Sequence, residues 1–343
     1  MSLILVCDES GAKGYAVQDE QYPGEVGVMA GYLLTRQQLP AVRADLDAIC
    51  LPFRQLDGKL HVTDLGPQAP VLRTTIHDYL RSHNIPIVFD AIHVQGFREH
   101  FRNNPDTGRE SLHTAIALGI FTKAVAYSSD AGLQDSFVEV ITDRVDPPLM
   151  DGFFRAFEEF MDDDPVVVMH QRRHPDPQQR TRTWFASQVS WPEGFDAESF
   201  EVAGYSIESD ASNSGLTVAA DVLAGDLVYF FRSRRGMTFC GPLAAEGVLD
   251  GYALADLCYG LTSPGGAPSV NDTMFRHPLH AARMEVQELL ASGISPQSRA
   301  RLTEMVRGRA YMIHLSHRGE KPGPKADWHQ AREEFGIPAA LWL

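Results

Sequence analysis

Apolar residues follow two different periodicities along the chain, and these predict strands and helices in alternation. Residues 3–7 form a continuous apolar run that stops at two carboxylates, which is typical of a strand buried on both faces. Residues 27–34 predict a second strand, antiparallel to the first. Shorter apolar runs predict four more strands, at residues 85–92, 137–143, 165–169 and 199–207.

Helical spacing of apolar residues predicts helices between these strands. In the first of them, Leu39, Val42 and Leu46 recur at intervals of three or four residues. The other predicted helices cover residues 71–82, 110–128, 147–162, 216–231, 279–291 and 298–316. Two polar segments, residues 96–109 and the basic run after residue 169, are predicted to be irregular.

The order of these elements predicts an α/β protein with a mixed sheet flanked by helices. We expect this body to occupy residues 1–235 and to be followed by a mainly helical C-terminal extension over residues 236–343. Gly- and Pro-rich connections between short helical pieces mark the change.

Composition and charge exclude some classes of protein. No apolar run reaches 18 residues, so neither a transmembrane helix nor a membrane partner is predicted. The four cysteines lie far apart and no basic segment precedes the first strand, which favours a cytoplasmic protein. The net charge of −15 argues against broad binding to duplex nucleic acid, although a local basic groove is compatible with it.

Three carboxylates stand where the predicted elements can bring them together. Asp8 ends the first strand, Asp143 ends a later strand, and Asp221 lies one turn into an apolar helix. If the strands are neighbours and the helix crosses their ends, the three side chains converge. Crowded carboxylates repel one another unless a divalent cation neutralises them, and an all-oxygen ligand set favours Mg²⁺ or Mn²⁺ over zinc. Two such ions can support phosphodiester hydrolysis.

Other side chains are candidates for supporting roles in such a site. Glu9 and Asp226 are possible further metal ligands, although the five-residue spacing from Asp221 predicts that Asp226 points to a different face. Additional acids that could contribute are Asp90, Glu139 and Asp146. The candidates for contacts with a substrate are Lys59, His61, Arg172 and Arg173. Among these, His61 could also carry a proton.

Four segments, taken in order, resemble one protein family. They are Val6-Cys7-Asp8-Glu9-Ser10-Gly11, Lys59-x-His61-x-x-Asp64, the strand that ends at Asp143, and residues 209–225 with Ala220-Asp221-Val222-Leu223-Ala224-Gly225. Over residues 3–232 the chain is similar to a widespread prokaryotic and phage family of unknown function, with an x-D-E-S-G start and an A-D-x-x-A-G helix. The resemblance implies a ribonuclease-H-like fold and a divalent-metal nuclease site on Asp8, Asp143 and Asp221.

A second resemblance concerns the end of the chain. Residues 307–334 look like a small helix-hairpin domain of unknown function, through Arg309-Ala310-Tyr311, Gly319-x-x-Pro322-Gly323 and Trp328-x-x-Ala331-x-x-Glu334. This resemblance implies an accessory element for packing or interaction.

Plainer explanations exist for each candidate residue. Asp8 could cap a turn, Asp143 could be the N-terminal acid of the next predicted helix, and His61 could be a surface histidine. An aspartyl phosphatase is disfavoured, because Ser10 stands where its second aspartate belongs. The leading hypothesis is a metal-dependent nuclease acting on RNA or DNA. The alternative is a non-catalytic nucleic-acid- or protein-binding module of a defence or mobile-element system, with the C-terminal helices contacting a protein.

Overall fold

The computed structural model of the chain describes residues 2–13, 19–55, 60–102, 111–133, 136–143, 170–173, 182–187, 202–210, 212–234, 240–244, 247–259, 270–316 and 323–341. Within these ranges a mixed sheet carries helices on both faces, and a helical unit follows it. The predicted α/β class and the helical C-terminal part are confirmed.

The sheet has eight strands in the described part of the chain. They are β1 (Ser2–Gly11), β2 (Val26–Thr35), β3 (Ile87–His93), β4 (Ser136–Thr142), β5 (His170–Arg173), β6 (Arg182–Ser187), β7 (Val202–Ser209) and β8 (Cys258–Tyr259). Their order is β5-β6-β7-β4-β1-β2-β3-β8. Strands β1, β4 and β7 run parallel, whereas β1, β2 and β3 form an antiparallel meander. The carboxyl ends of β1, β4 and β7 therefore meet at one edge of the sheet.

The helices divide into two layers and a separate C-terminal group. They are α1 (Leu39–Cys50), α2 (Ala69–Ser82), α3 (Val94–Phe101), α4 (Leu112–Asp130), α5 (Gly215–Ser233), α6 (Val270–Met274), α7 (Pro278–Ala291), α8 (Pro296–Ser316) and α9 (Pro324–Glu334). Short 3₁₀ helices cover Leu51–Phe53, Val62–Gln68, Ala255–Leu257 and Ala339–Leu341. None of these described helices is long and apolar enough to cross a membrane.

Alternation along β1 determines which helix layer each side chain meets. Ile4 and Val6 point to the face that packs under α1, α2 and α5, whereas Leu3 and Leu5 point to the face covered by α3 and α4. Helices α7, α8 and α9 enclose a smaller core of their own, which contains Val286.

Several predicted elements differ from the observed ones. The sequence predicts an irregular segment over residues 96–109, but α3 occupies the first part of it, because Phe97 and Phe101 pack against Phe275. The sequence also predicts a loop for the basic run after residue 169, yet this run contributes β5 and, with the following residues, β6. Strand β8 pairs with β3, so the sheet continues past residue 235. The helix predicted at 147–162 and the strand predicted at 165–169 lie outside the described residues.

Candidate functional site

The parallel pairing of β1 with β4 brings the first two predicted carboxylates side by side. Cys7 pairs with Thr142, so Asp8 and Asp143 are the next residues on the two adjacent strands. Asp8 is only 8% exposed, and it points to the same sheet face as Ile4, which is the face that α5 covers. Asp143 is half-buried. Asp8 and Asp143 therefore lie side by side at the ends of β1 and β4, beneath α5.

Helix α5 is held over the strand ends by contacts at its first turn. The N–H of Gly215 donates to Asp47 Oδ1 at 2.6 Å, and the hydroxyl of Tyr32 donates to the carbonyl of Leu216 at 3.0 Å. A Cβ at position 215 would lie 2.4 Å from the backbone of α1, so only glycine permits this close approach. These contacts fix the helix that carries Asp221 in its second turn.

Burial and neighbouring carboxylates change the ionisation of Asp8 and Asp221. Burial raises the pKa of Asp8 to about 9, and the carboxylates of Glu9 and Asp221 add to this effect. Burial also raises the pKa of Asp221, followed by the charge of Asp143, while the charge of His61 opposes the rise. Carboxyl groups are therefore crowded at this edge of the sheet, in surroundings that favour their neutralisation by a proton or a cation.

Glu9 belongs to a local ion-pair group on the other face of the sheet. Lys13 Nζ lies 2.8 Å from Glu9 Oε1, and Nε2 of the buried His113 lies 3.7 Å from Glu9 Oε2. Burial alone would raise the pKa of Glu9, but His113 and Lys13 bring it below its usual range. The charge of Lys13 also acts on Asp8 and Asp221, so an exposed ammonium of the protein itself partly compensates the acidic group.

Asp226 is not brought to this group. Its carboxylate lies 3.1 Å from Arg73 Nε and 2.8 Å from His77 Nε2, both on α2. The five-residue step from Asp221 turns it toward the neighbouring helix, as its spacing predicts. The assignment of Asp226 as a metal ligand is therefore replaced by an ion-pair role between α2 and α5.

The remaining predicted residues lie elsewhere or outside the described ranges. Asp90 is buried in β3, where its Oδ1 accepts from Lys123 Nζ at 2.9 Å, and Glu139 forms an ion pair with Arg36. Lys59 and Asp146 lie outside the described residues. Arg172 and Arg173 are on β5, four strand positions from β1, which corresponds to about 19 Å across the sheet.

His61 reaches the site from the segment before α2. It is exposed, whereas Leu60 and Val62 on either side are buried in the core. The 3₁₀ helix that begins after His61 contacts α5, and the charge of His61 lowers the pKa of Asp221 on α5. The backbone beside it is held by Asn213, whose Oδ1 accepts the N–H of Leu60 at 2.9 Å.

Sequence reasoning overlooked four side chains that organise the site. Lys13 and His113 contact Glu9, Asn213 fixes the segment before His61, and Asp210 accepts hydrogen bonds from Ser212 and Ser214. The signal for the last two was present, since residues 209–215 are rich in turn-forming and capping side chains. The signal for the first two was absent, because their partners come from tertiary contacts.

The donor atoms suit a divalent cation, but they do not form a complete ligand set in this conformation. Asp8, Asp143 and Asp221 supply carboxylate oxygens, which Mg²⁺ and Mn²⁺ prefer. Among the described residues, no three His, Cys, Asp or Glu side chains are arranged to hold a metal ion. A cation held by the three aspartates would thus require their side chains to rotate toward one another.

Comparison with known proteins adds no further assignment. No protein-family model, curated protein or solved structure matches this chain. The resemblance to the prokaryotic and phage family stays a prediction.

A second group of polar side chains lies between the sheet and α7. Cys240 Sγ is 3.7 Å from His277 Nε2, which is also 3.1 Å from Glu20 Oε2. Because His277 Nδ1 accepts the N–H of Leu279 at 3.1 Å, Nε2 carries the hydrogen and is blocked as a metal ligand. Burial raises the pKa of Cys240 to about 12, so its thiol is neutral. This group joins α7 to the body without metal or nucleophile chemistry.

Proposed function

We propose that the chain is a divalent-metal-dependent nuclease in which Asp8, Asp143 and Asp221 hold Mg²⁺ or Mn²⁺. The proposal is carried by one observation: carboxylates from β1, β4 and α5 share one edge of the sheet, where burial and mutual repulsion raise the pKa values of Asp8 and Asp221. When bound, the metal would activate water and stabilise the leaving oxygen of a phosphodiester.

The sheet topology supports a ribonuclease-H-like core for this activity. The order β3-β2-β1-β4-β7 combines an antiparallel meander with parallel strands, which is compatible with the mixed sheet that the resemblance implies. The chain leaves β1 toward β2 on one side and returns as β4 on the other, so Asp8 stands where the strand order reverses. Ligands of open α/β sheets bind beyond the carboxyl ends of strands at such a point.

The chain's own residues would divide the remaining tasks. The exposed His61, whose segment contacts the helix of Asp221, would contact a phosphate or move a proton at the leaving oxygen. Lys13 is exposed and would compensate charge close to the same carboxylates. Lys59, Arg172 and Arg173 are retained as proposed contacts with a longer RNA or DNA substrate, because the acidic chain needs local positive charge to bind one.

The direct test is cleavage of labelled RNA and DNA oligonucleotides by purified protein with Mn²⁺ or Mg²⁺. We expect cleavage of one of them, and its loss in Asp8→Asn and in Asp221→Asn. Asp226→Asn is a matched control, because it removes an acid from the same helix that pairs with α2 instead. Cleavage that survives in both Asp8→Asn and Asp221→Asn would refute the assignment.

A second candidate is a non-catalytic binding module of a defence or mobile-element system. It is favoured by the side-chain geometry, since the described residues offer no ready set of three metal ligands. In that case RNA, DNA or a protein would bind without cleavage, with the C-terminal helices as the proposed protein-contacting part. Calorimetric titration with Mn²⁺ separates the two: heat of binding that disappears in Asp8→Asn supports the nuclease, and no binding supports the module.

A further inference from the structure

Asn213 adopts a backbone conformation that few residues other than glycine accept. Its φ is 55°, in the left-handed region, two residues before α5 begins at Gly215. Asparagine is among the side chains that tolerate this region best. The turn is further fixed at its start, because Asp210 N–H donates to the carbonyl of Thr142, at the end of β4, at 2.7 Å.

The side chain of Asn213 binds the backbone of Leu60 in both directions. Its Oδ1 accepts the Leu60 N–H at 2.9 Å, and its Nδ2 donates to the Leu60 carbonyl at 3.1 Å. Arg54 adds to this arrangement by donating to the Asn213 carbonyl at 2.8 Å. A side-chain amide has an acceptor oxygen and a donor N–H, so it can pair with a backbone N–H and a backbone C=O together. An ionised carboxylate lacks the donor, and a hydroxyl has only one oxygen for both partners.

This pair of hydrogen bonds connects the α5 entry to His61. Leu60 and Val62 are buried, so the intervening His61 side chain is directed outward, and the 3₁₀ helix that follows it contacts α5. Asn213 therefore fixes the segment of His61 against the same helix that carries Asp221.

We propose that Asn213 is a positioning residue that holds His61 beside Asp221 and so places a phosphate-contacting or proton-transferring group at the acidic site. The role of His61 rests on the proposed nuclease function, but its placement by Asn213 does not. The two parts can therefore be tested separately.

Nuclear magnetic resonance tests the placement without metal or substrate. The Cε1–Hε1 signal of His61 is assigned by its loss in His61→Gln. All spectra are recorded in EDTA at one pH, about 8, above the reference pKa of model histidine peptides. We expect Asp221→Asn to shift this His61 signal when Asn213 is present. In an Asn213→Gly background we expect the shift to be smaller by about half or more, because Asn213 no longer holds the His61 segment against α5. An equal shift in both backgrounds would overturn the proposal.

Two further variants guard against a general loss of structure. Asn84 is also left-handed, with φ 48°, and lies in the turn between α2 and β3, so Asn84→Gly is a matched control that should leave the His61 signal and its response unchanged. Asn213→Asp keeps an acceptor for the Leu60 N–H but loses the donor, and we expect an intermediate response. A full response in Asn213→Asp and Asn213→Gly alike would contradict the inference.

The kinetic arm uses Mn²⁺ and whichever oligonucleotide the parent protein cleaves. We expect Asn213→Gly and His61→Ala each to lower kcat by about 10²-fold with little change in KM. We expect Asn213→Gly to have little further effect on kcat when His61→Ala is already present. Additive losses would show that Asn213 acts independently of His61. Absence of cleavage by every protein, including the parent, would refute the nuclease proposal, while the resonance experiment still decides the role of Asn213.

Discussion

Replacing Asp8 with asparagine should make the metal-free protein more stable. Burial, with the nearby carboxylates of Glu9 and Asp221, raises the pKa of Asp8 from 3.8 to about 9. In the unfolded chain the group ionises near the lower value, so between these two pH values the folded state binds one more proton than the unfolded state. The free energy of unfolding therefore falls as the pH rises through this window. At pH 7 the loss is at most about 4 kcal/mol, since each pKa unit corresponds to ~1.4 kcal/mol.

Urea unfolding in EDTA measures this effect directly. The amide introduced by Asp8→Asn would retain an oxygen for the Glu9 N–H, which donates to Asp8 Oδ1 at 2.8 Å, so the substitution removes the charge and keeps the contact. We expect Asp8→Asn to raise the free energy of unfolding at pH 7 and to flatten its decline between about pH 4 and pH 9. Mn²⁺ should stabilise only the parent protein, by about 2.7 kcal/mol at a hundredfold excess over Kd.

The opposite result has a definite meaning. If Asp8→Asn destabilises the protein in EDTA, the Asp8 carboxylate is a structural acceptor in its turn, and crowding of negative charge at this edge is not its main feature. The same experiment on Asp221→Asn provides a second measurement, because the pKa of Asp221 is also raised by burial and by a neighbouring carboxylate.

Three further measurements test the surroundings of the site. Burial lowers the pKa of His93 to about 3, so below about pH 6.5 the unfolded chain takes up a proton that the folded chain does not. The free energy of unfolding should therefore fall by up to ~1.4 kcal/mol per pH unit from about pH 6.5 toward pH 3. Urea unfolding of His93→Gln should lack this slope. Gly119→Ala should destabilise the protein, because the new Cβ would lie 2.2 Å from Asp90. Gly225→Ala meets nothing within 4 Å and should stabilise α5 by roughly 0.5–1 kcal/mol. Equal shifts of the thermal unfolding midpoint in the two variants would contradict this. Asp226→Asn should lower the free energy of unfolding by about 1–3 kcal/mol and leave the Mn²⁺ affinity unchanged. Weaker Mn²⁺ binding of this variant in calorimetry would show that Asp226 is a metal ligand after all.

Local patterns were sufficient where burial itself creates the pattern. The apolar run of β1 and the helix predicted at 216–231 agree with the structure, which places α5 at Gly215–Ser233. The proximity of Asp8 and Asp143 also followed from strand ends, since parallel neighbours present the same end at one edge. These features depend on periodicity along one segment, which a single sequence contains.

Features decided by distant partners were not predictable in this way. Strand β5 carries no alternating apolar residues, and it exists as a strand through pairing with β6, which in turn pairs with β7. The ion pairs of Asp226 depend on how α2 packs against α5, and the role of Asn213 depends on Leu60, 153 positions earlier in the chain. A helical face or a turn motif identifies such residues as polar, but it does not name the partner.

The two borders of the sheet differ in a way that bears on self-association. Strand β8 is two residues long and pairs with Ile87 and Val88, and the next carbonyl of β3, that of Phe89, accepts a hydrogen bond from Lys123 Nζ at 2.7 Å. A foreign strand therefore finds only a two-residue edge strand at this border, which offers little backbone for pairing. The other border of the described sheet is β5, which ends in two consecutive arginines, and repulsion between like charges disfavours pairing of two such borders. The described sheet is thus guarded against edge-to-edge pairing by a very short edge strand on one side and by charge on the other.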